Sequence, residues 1–280
     1  MWKQEYIKTD RGVFEVFSKG NGPPLCVTHL YSEYNESGDY FAESFVDSHT
    51  VFLVNLKEAG RSARIVEPYE YLMIETVFDL ESIRTALEID RWVFAGHSTG
   101  GMLACVYGIY ASSSLEALII VGAAAREYAS NSSECIYHQE HPNYHLMQNY
   151  IETLKDPELM EKERRMIVRE RTKLSLYKPE LYENYFSKPI HKKMATNRMN
   201  FFAREILQFD VTKQLPNVPT PSLIMCGKHD VQCPLLYSRE MAESIPGAIL
   251  AIFNESNHYP FLEEGEAFNQ TVKRFLNKIG

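Results

Sequence analysis

The five residues from Gly96 to Gly100, Gly-His-Ser-Thr-Gly, put a serine where it could act as a nucleophile. They directly follow an apolar run that ends at Ala95, and a helical pattern begins shortly after them. A serine on a sharp strand-to-helix turn exposes its hydroxyl, and the free N–H groups at the start of the helix favour a developing negative charge. Glycines two residues to either side prevent collisions across the turn. This pattern predicts Ser98 as a nucleophile.

A serine hydroxyl needs a base, and the base needs an acid that orients it. After a turn of this kind, the acid and then the histidine follow along the chain. Asp230 comes just after an apolar run that ends at Cys226, and His258 comes just after one that ends at Phe253. Because the carboxyl ends of parallel strands share one edge of a sheet, we predict that Ser98, Asp230 and His258 meet there as a catalytic triad.

Other residues could replace members of this triad. Asp210 and Glu127 are alternative acids, but they flank a helical insertion instead of following a strand in the second half of the chain. His229 adjoins the predicted acid, and we expect its side chain to point away from it.

Short apolar runs alternate with helical patterns early in the chain and again near its end. Continuous apolar strands separated by helices indicate a parallel sheet covered on both faces, with right-handed crossovers. The fold class is therefore predicted to be α/β, a three-layer sandwich with a mostly parallel sheet. The predicted strands are 13–17, 25–28, 50–54, 92–95, 118–121, 221–226 and 248–253, and the predicted helices are 70–88, a stretch from 102, 158–173 and 264–278.

The composition changes between residues 126 and 205, where charged residues and tyrosines are frequent and β-branched runs are few. Prolines divide this region into short helices, since proline is tolerated mainly in a first helical turn or between elements. We predict a core of residues 1–122 and 211–280 that is interrupted by a helical cap over residues 123–210. The dividing prolines are Pro142, Pro157, Pro179 and Pro189.

Three further segments carry motifs. Residues 55–62, Asn-Leu-Lys-Glu-Ala-Gly-Arg-Ser, resemble a D-x-R-G-x-G-x-S loop. Residues 227–234, Gly-Lys-His-Asp-Val-Gln-Cys-Pro, and 258–264, His-Tyr-Pro-Phe-Leu-Glu-Glu, resemble an acid motif and a histidine motif. Over essentially its full length the chain resembles α/β-hydrolases with a helical cap, in their proline-iminopeptidase-like branch. The resemblance implies a serine hydrolase that works through an acyl-enzyme and needs no cofactor.

The resemblance also implies an oxyanion hole. Family members usually have His-Gly-x after the third strand, and residue x gives one N–H donor to the hole. Here the segment is His29-Leu30-Tyr31, so Leu30 stands in place of the glycine. The implied donors are the N–H groups of Thr99 and Tyr31.

The substrate is left open by the sequence. Relatives that remove N-terminal proline hold the substrate's ammonium with cap carboxylates, for which Glu152, Glu183 and Glu205 are candidates. Some relatives have an acidic residue where this chain has Val231, and the chain lacks their Gly-Gly-Ser-Trp-Gly sequence. The predicted activity is hydrolysis of a small-molecule or short-peptide ester or amide, either as an aminopeptidase or as a carboxylesterase or lactonase. A ligand-binding homologue without turnover is the alternative from another class.

The charge, the apolar runs, the cysteines and the histidines indicate which partners, compartment and metal sites to expect. The chain has 280 residues, with 29 Lys+Arg against 37 Asp+Glu and a net charge of −8, which argues against nucleic-acid or anionic-membrane partners. No apolar run approaches the roughly 20 residues that span a bilayer, so we expect a cytoplasmic protein. The five cysteines are scattered without a C-x-x-C pair, and we expect buried thiols instead of disulfides or zinc. His138, His141 and His145 have helical spacing, but Pro142 interrupts it, and no metal site is predicted.

Overall fold

The computed structural model of the chain describes residues 1–156 and 158–279, so Pro157, one of the prolines predicted to divide the cap, lies outside the described residues. Seven of its strands lie close to the predicted ones, and three more, at residues 3–9, 32–33 and 193–194, are additional. The strands are β1 (Lys3–Thr9), β2 (Gly12–Lys19), β3 (Pro24–Val27), β4 (Ser32–Glu33), β5 (Thr50–Val54), β6 (Trp92–His97), β7 (Leu115–Val121), β8 (Lys193–Met194), β9 (Ser222–Gly227) and β10 (Ile249–Phe253).

Within the described part of the chain, eight of these strands form the main sheet, in the order β1-β2-β5-β3-β6-β7-β9-β10. Strand β2 runs antiparallel to both of its neighbours, whereas each neighbouring pair from β5 to β10 is parallel. The predicted mostly parallel sheet is thereby confirmed. As a consequence, the carboxyl ends of β6, β9 and β10 open at the same edge, where the candidate catalytic residues follow them.

Helices cover both faces of this sheet. Successive residues of a strand point to opposite faces, so Phe94 and Ile120 pack under the helices at 73–86, 99–110 and 235–244, whereas Val93 and Ile119 pack under the helix at 265–279. The predicted three layers follow from this arrangement. The helices are α1 (Met73–Ala86), α2 (Thr99–Tyr110), α3 (Tyr144–Leu154), α4 (Glu161–Lys173), α5 (Tyr182–Tyr185), α6 (Thr196–Glu205), α7 (Leu235–Ser244), α8 (Pro260–Glu263) and α9 (Gly265–Ile279).

Three helices begin three residues away from the predicted start, among them α4, which begins at Glu161 instead of residue 158. The predicted helix 70–88 is a 3-10 turn over Pro68–Tyr71 followed by α1, because Leu72 has an extended ψ of 147° that separates the two. Helix α2 begins at Thr99 instead of residue 102, directly after Ser98. None of the helices in residues 1–156 and 158–279 combines the length and the apolarity required to cross a membrane.

Residues 123–210 contain α3, α4, α5, α6 and β8, and the two ends of this segment pair with each other. The N–H of Glu127 donates to the carbonyl of Phe209 over 2.8 Å, and that of Val211 donates to the carbonyl of Ala125 over 2.8 Å. Strand β8 pairs with β4, which follows directly after the His29-Leu30-Tyr31 segment. These contacts support our proposal that the segment is a cap on a core formed by residues 1–122 and 211–280.

Candidate active site

Ser98 occupies the turn between β6 and α2 in a backbone conformation that non-glycine residues rarely adopt, with φ 56° and ψ −122°. Its N–H donates to the carbonyl of Val121 on the neighbouring strand over 2.9 Å, and its own carbonyl accepts from the N–H of Gly101 over 2.9 Å. A strained conformation of this kind costs about 1–3 kcal/mol and persists where the surroundings hold it. The turn therefore fixes the serine at the carboxyl end of β6.

Glycines are required around this turn because other atoms of the chain lie too close to leave room for a Cβ. A Cβ on Gly96 would lie 2.1 Å from the carbonyl oxygen of Gly100. A Cβ on Gly101 would lie 2.5 Å from the Cβ of Ala123, so α2 packs close to the residues that follow β7. Distances this short do not occur for real Cβ atoms, which explains the spacing of the glycines around the serine.

Asp230 and His258 form a buried pair. His258 Nδ1 lies 2.9 Å from Asp230 Oδ2 and 3.1 Å from Oδ1, and both residues are buried. Asp230 Oδ1 also accepts hydrogen bonds from the N–H groups of Gln232 and Cys233, over 2.9 and 2.8 Å, so the backbone holds the carboxylate in place. With Nδ1–H donating to the carboxylate, Nε2 of His258 is left free to accept a proton.

Gly122, at the end of β7, makes room for this pair. Its φ is 54°, and a Cβ there would lie 2.9 Å from Asp230 Oδ2 and 3.2 Å from His258 Nδ1. Sequence reasoning missed this residue, because its only signal is a glycine after an apolar strand. The contact depends on two segments that lie more than a hundred residues further along the chain.

His97, next to Ser98, contacts the histidine of the pair. The two ring centroids are 4.5 Å apart, and His97 Nε2 lies 2.8 Å from the carbonyl oxygen of His258. Burial, followed by the nearby charge of His258, lowers the pKa of His97 well below its ordinary value. A neutral His97 that carries its proton on Nε2 can donate to that carbonyl and so holds the backbone of His258.

A small cavity joins the candidate residues. Its volume is about 10 Å³, room for roughly one water molecule. Gln232, which lines it, accepts from the hydroxyl of Tyr137 over 2.7 Å and donates to the hydroxyl of Ser175 over 2.9 Å, so two residues of the proposed cap fix its amide. The lining residues are Ser98, Thr99, Met102, Gly122, Ala123, Ala124, Tyr128, Gln232, Cys233 and His258.

The His29-Leu30-Tyr31 segment lies beside the turn at Ser98. Thr99 Oγ1 is 3.1 Å from His29 Nε2 and 3.3 Å from the nitrogen of Leu30. Burial is the main cause that lowers the pKa of His29 well below its ordinary value. A neutral ring can donate from Nε2 to Thr99 while its Nδ1 accepts from the N–H of Tyr31, over a long 3.4 Å. The hydroxyl of Thr99 and the N–H of Tyr31 thus contact the same ring, that of His29.

The three cap glutamates have other partners. Glu152 pairs with a lysine three residues later and Glu183 pairs with Arg169, each over 2.6 Å, and their side chains are 64% and 67% exposed. Glu205 accepts from the N–H of Met73, at the start of α1, over 2.9 Å, and burial raises the pKa of its carboxyl group. The lining of the cavity consists of other residues. Substrate binding by these glutamates stays a prediction, and their contacts do not favour it.

The alternative acids also have partners elsewhere. Asp210 Oδ1 accepts from the N–H of Thr212 over 3.0 Å, and Glu127 Oε1 accepts from the N–H of Ala129 over 2.6 Å. The ring of His229 stacks on Tyr177 with centroids 4.6 Å apart. These contacts leave Asp230 as the acid that reaches His258.

The histidines and cysteines that are not expected to bind metal have other contacts or are buried. The Nδ1 atoms of His138 and His141 accept backbone N–H groups two residues further on, over 3.2 and 3.1 Å. Across the described ranges of the chain, no three His, Cys, Asp or Glu side chains are grouped so that they could hold a metal ion. The five cysteines are free and buried.

A family model for the alpha/beta hydrolase fold matches residues 26–265. The chain therefore belongs to the α/β hydrolase fold family, as its sheet and its strand–serine–helix turn indicate. Among solved structures it is similar to an alpha/beta fold family hydrolase from Bacillus anthracis strain Sterne, with 46% sequence identity, a TM-score of 0.95 and 100% of each chain covered.

More distant relatives act on different bonds. The chain is 26% identical to the proline iminopeptidase of Saccharolobus solfataricus, over 79% of this chain and 73% of that protein. It is 23% identical to the pimeloyl-(acyl-carrier protein) methyl ester esterase of Vibrio atlanticus, over 92% of this chain and 96% of that protein. The predicted resemblance to α/β-hydrolases with proline iminopeptidases among their relatives is thereby confirmed.

Proposed function

We propose that this protein is a serine hydrolase in which Ser98, His258 and Asp230 form a catalytic triad. The observation that carries the proposal is that the strained serine and the histidine of the buried Asp230–His258 pair line one cavity. A strained serine, a base beside it and an acid behind the base are the groups that activate a hydroxyl.

In the proposed reaction, Ser98 Oγ attacks a carbonyl carbon while His258 Nε2 takes the hydroxyl proton. Asp230 orients the ring and stabilises its charged form without taking the proton. The N–H groups of Thr99 and Tyr31 receive the developing oxyanion. His258 then returns the proton to the leaving group, and water hydrolyses the acyl-enzyme by the same route in reverse order.

The substrate we favour is a small ester with an uncharged acyl group. The cavity is lined by apolar and small residues together with Gln232 and the proposed catalytic groups, and carboxylates do not contribute to its lining. The cavity has room for only about one water molecule, so an acyl chain enters it only if the lining residues move apart. The apolar lining then suits an apolar acyl chain better than a free ammonium, whose burial without a charged partner is costly. The esterase among the relatives agrees with this choice, whereas the proline iminopeptidases keep the aminopeptidase as the second candidate.

A comparison of p-nitrophenyl butyrate with proline p-nitroanilide separates these two candidates. We expect turnover of the ester, little or none of the anilide, and loss of turnover in Ser98→Ala. Preferred turnover of the anilide would instead support the aminopeptidase. Turnover of neither substrate would favour a ligand-binding homologue.

A further inference from the structure

The peptide that carries the second oxyanion donor is held by a residue of the proposed cap. The carbonyl of Leu30 accepts a hydrogen bond from Nε of Arg198, on helix α6. Arg198 is only 3% exposed. A buried guanidinium is costly unless its donors are satisfied, so this contact is part of the packed structure.

The other donors of Arg198 anchor it to the core. Its two terminal nitrogens donate to the carbonyl of Lys57 over 3.2 Å and to the hydroxyl of Thr76 over 3.0 Å. Burial lowers the pKa of Arg198 to about 10, and the charge of Asp79 acts in the opposite direction. The group is therefore charged at neutral pH, and its three hydrogen bonds fix its plane between the cap and the core.

The geometry of the peptide links this contact to the oxyanion hole. The peptide between Leu30 and Tyr31 is trans, as are the others in the described residues. In a trans peptide the C=O and N–H bonds point in opposite directions, so a donor that holds the carbonyl of Leu30 also sets the direction of the N–H of Tyr31. The carbonyl of Tyr31 in turn accepts from the N–H of Ala195 over 2.9 Å, just before α6.

We propose that Arg198 is a positioning residue that holds the N–H of Tyr31 where an oxyanion can replace its long 3.4 Å contact with Nδ1 of His29. The inference rests on the proposed function. It explains how this chain holds the second donor of the oxyanion hole although Leu30 stands where the family usually has glycine. Leu30 is buried in the core and cannot supply the conformational freedom of a glycine. Instead, the guanidinium of Arg198, which belongs to the proposed cap, holds the Leu30–Tyr31 peptide in place.

The test compares Arg198→Met and Arg198→Lys with Thr76→Val, which removes one bond of Arg198 without touching the Leu30 carbonyl. With p-nitrophenyl butyrate we expect Arg198→Met to lose kcat by up to roughly 10²–10³-fold, the cost of one oxyanion donor, with KM little changed. Binding of a trifluoromethyl ketone, whose adduct carries an oxyanion, should weaken in parallel. Arg198→Lys should recover part of kcat, and Thr76→Val, which leaves the bonds of Arg198 to Leu30 and Lys57 in place, should keep most of it.

A crystal structure of Arg198→Met and thermal unfolding of each variant complete the test. A rotated Leu30–Tyr31 peptide in a folded variant supports the inference. An unmoved peptide, or a fall in kcat that only follows the fall in melting temperature in all three variants, overturns it. A wild type that hydrolyses no ester and does not react at Ser98 rejects the proposed function itself, and with it any catalytic meaning of Arg198.

Discussion

Replacing Gly122 with alanine tests whether the space beside the Asp230–His258 pair is needed for catalysis. The residue has φ 54°, a conformation that costs an L-residue about 1–2 kcal/mol. The new Cβ would lie 2.9 Å from Asp230 Oδ2 and 3.2 Å from His258 Nδ1, so the pair must move by several tenths of an ångström. Since about 1 Å of misplacement can cost roughly 10²-fold, we expect kcat/KM to fall about 10- to 10²-fold, or about 1.4–2.7 kcal/mol.

Gly247→Ala is the matched control for this change. Gly247 also has a positive φ, 71°, but a Cβ there meets nothing within 4 Å. Gly247→Ala should lose about 1–2 kcal/mol of unfolding free energy in urea. Gly122→Ala should lose this amount and a further cost of about 1–3 kcal/mol from overpacking, and only Gly122→Ala should lose ester hydrolysis. Wild-type kcat/KM in a folded Gly122→Ala would refute the reasoning.

Further changes test other parts of the site. Asp230→Asn should lower kcat by up to about 10⁴-fold while circular dichroism stays unchanged, since the amide cannot hold the histidine in its active tautomer; near-normal kcat would exclude Asp230 as the acid. Gly101→Ala puts a Cβ 2.5 Å from that of Ala123 and should cost about 1–3 kcal/mol by overpacking; an unshifted urea midpoint would mean that α2 can move. Burial lowers the pKa of His97 from 6.5, so the unfolded chain binds the proton more tightly than the folded one. The stability that a neutral His97 contributes is therefore present above pH 6.5 and declines as the pH falls below that value. On acidification, the melting temperature of His97→Gln should fall less than that of the wild type. An equal fall would contradict this.

The sequence could predict the features that depend on neighbouring residues. The turn at Ser98 follows from glycines next to an apolar strand. The positions of Asp230 and His258 follow from strand ends at a common sheet edge. Each needs only local pattern together with the rule that parallel strands end at the same side.

The features that the sequence could not predict depend on contacts between distant segments. Nothing in the sequence around Gly122 distinguishes it from other glycines, and only the folded chain places Asp230 and His258 against it. Arg198 lies in a charged region that resembles a solvated helix face, and only the folded chain shows its contact with Leu30. In the sequence, the glutamates of the proposed cap are marked by their charge, which cannot distinguish a carboxylate in a pocket from one paired at the surface.

The most direct test of the central claim is the mass of the protein after reaction with a fluorophosphonate, followed by peptide mapping. The account predicts that the wild type gains a single adduct on Ser98, that Ser98→Ala gains none, and that Asp230→Asn reacts far more slowly. An unreactive wild type, or an adduct on another residue that persists in Ser98→Ala, would contradict the assignment of Ser98 as the nucleophile.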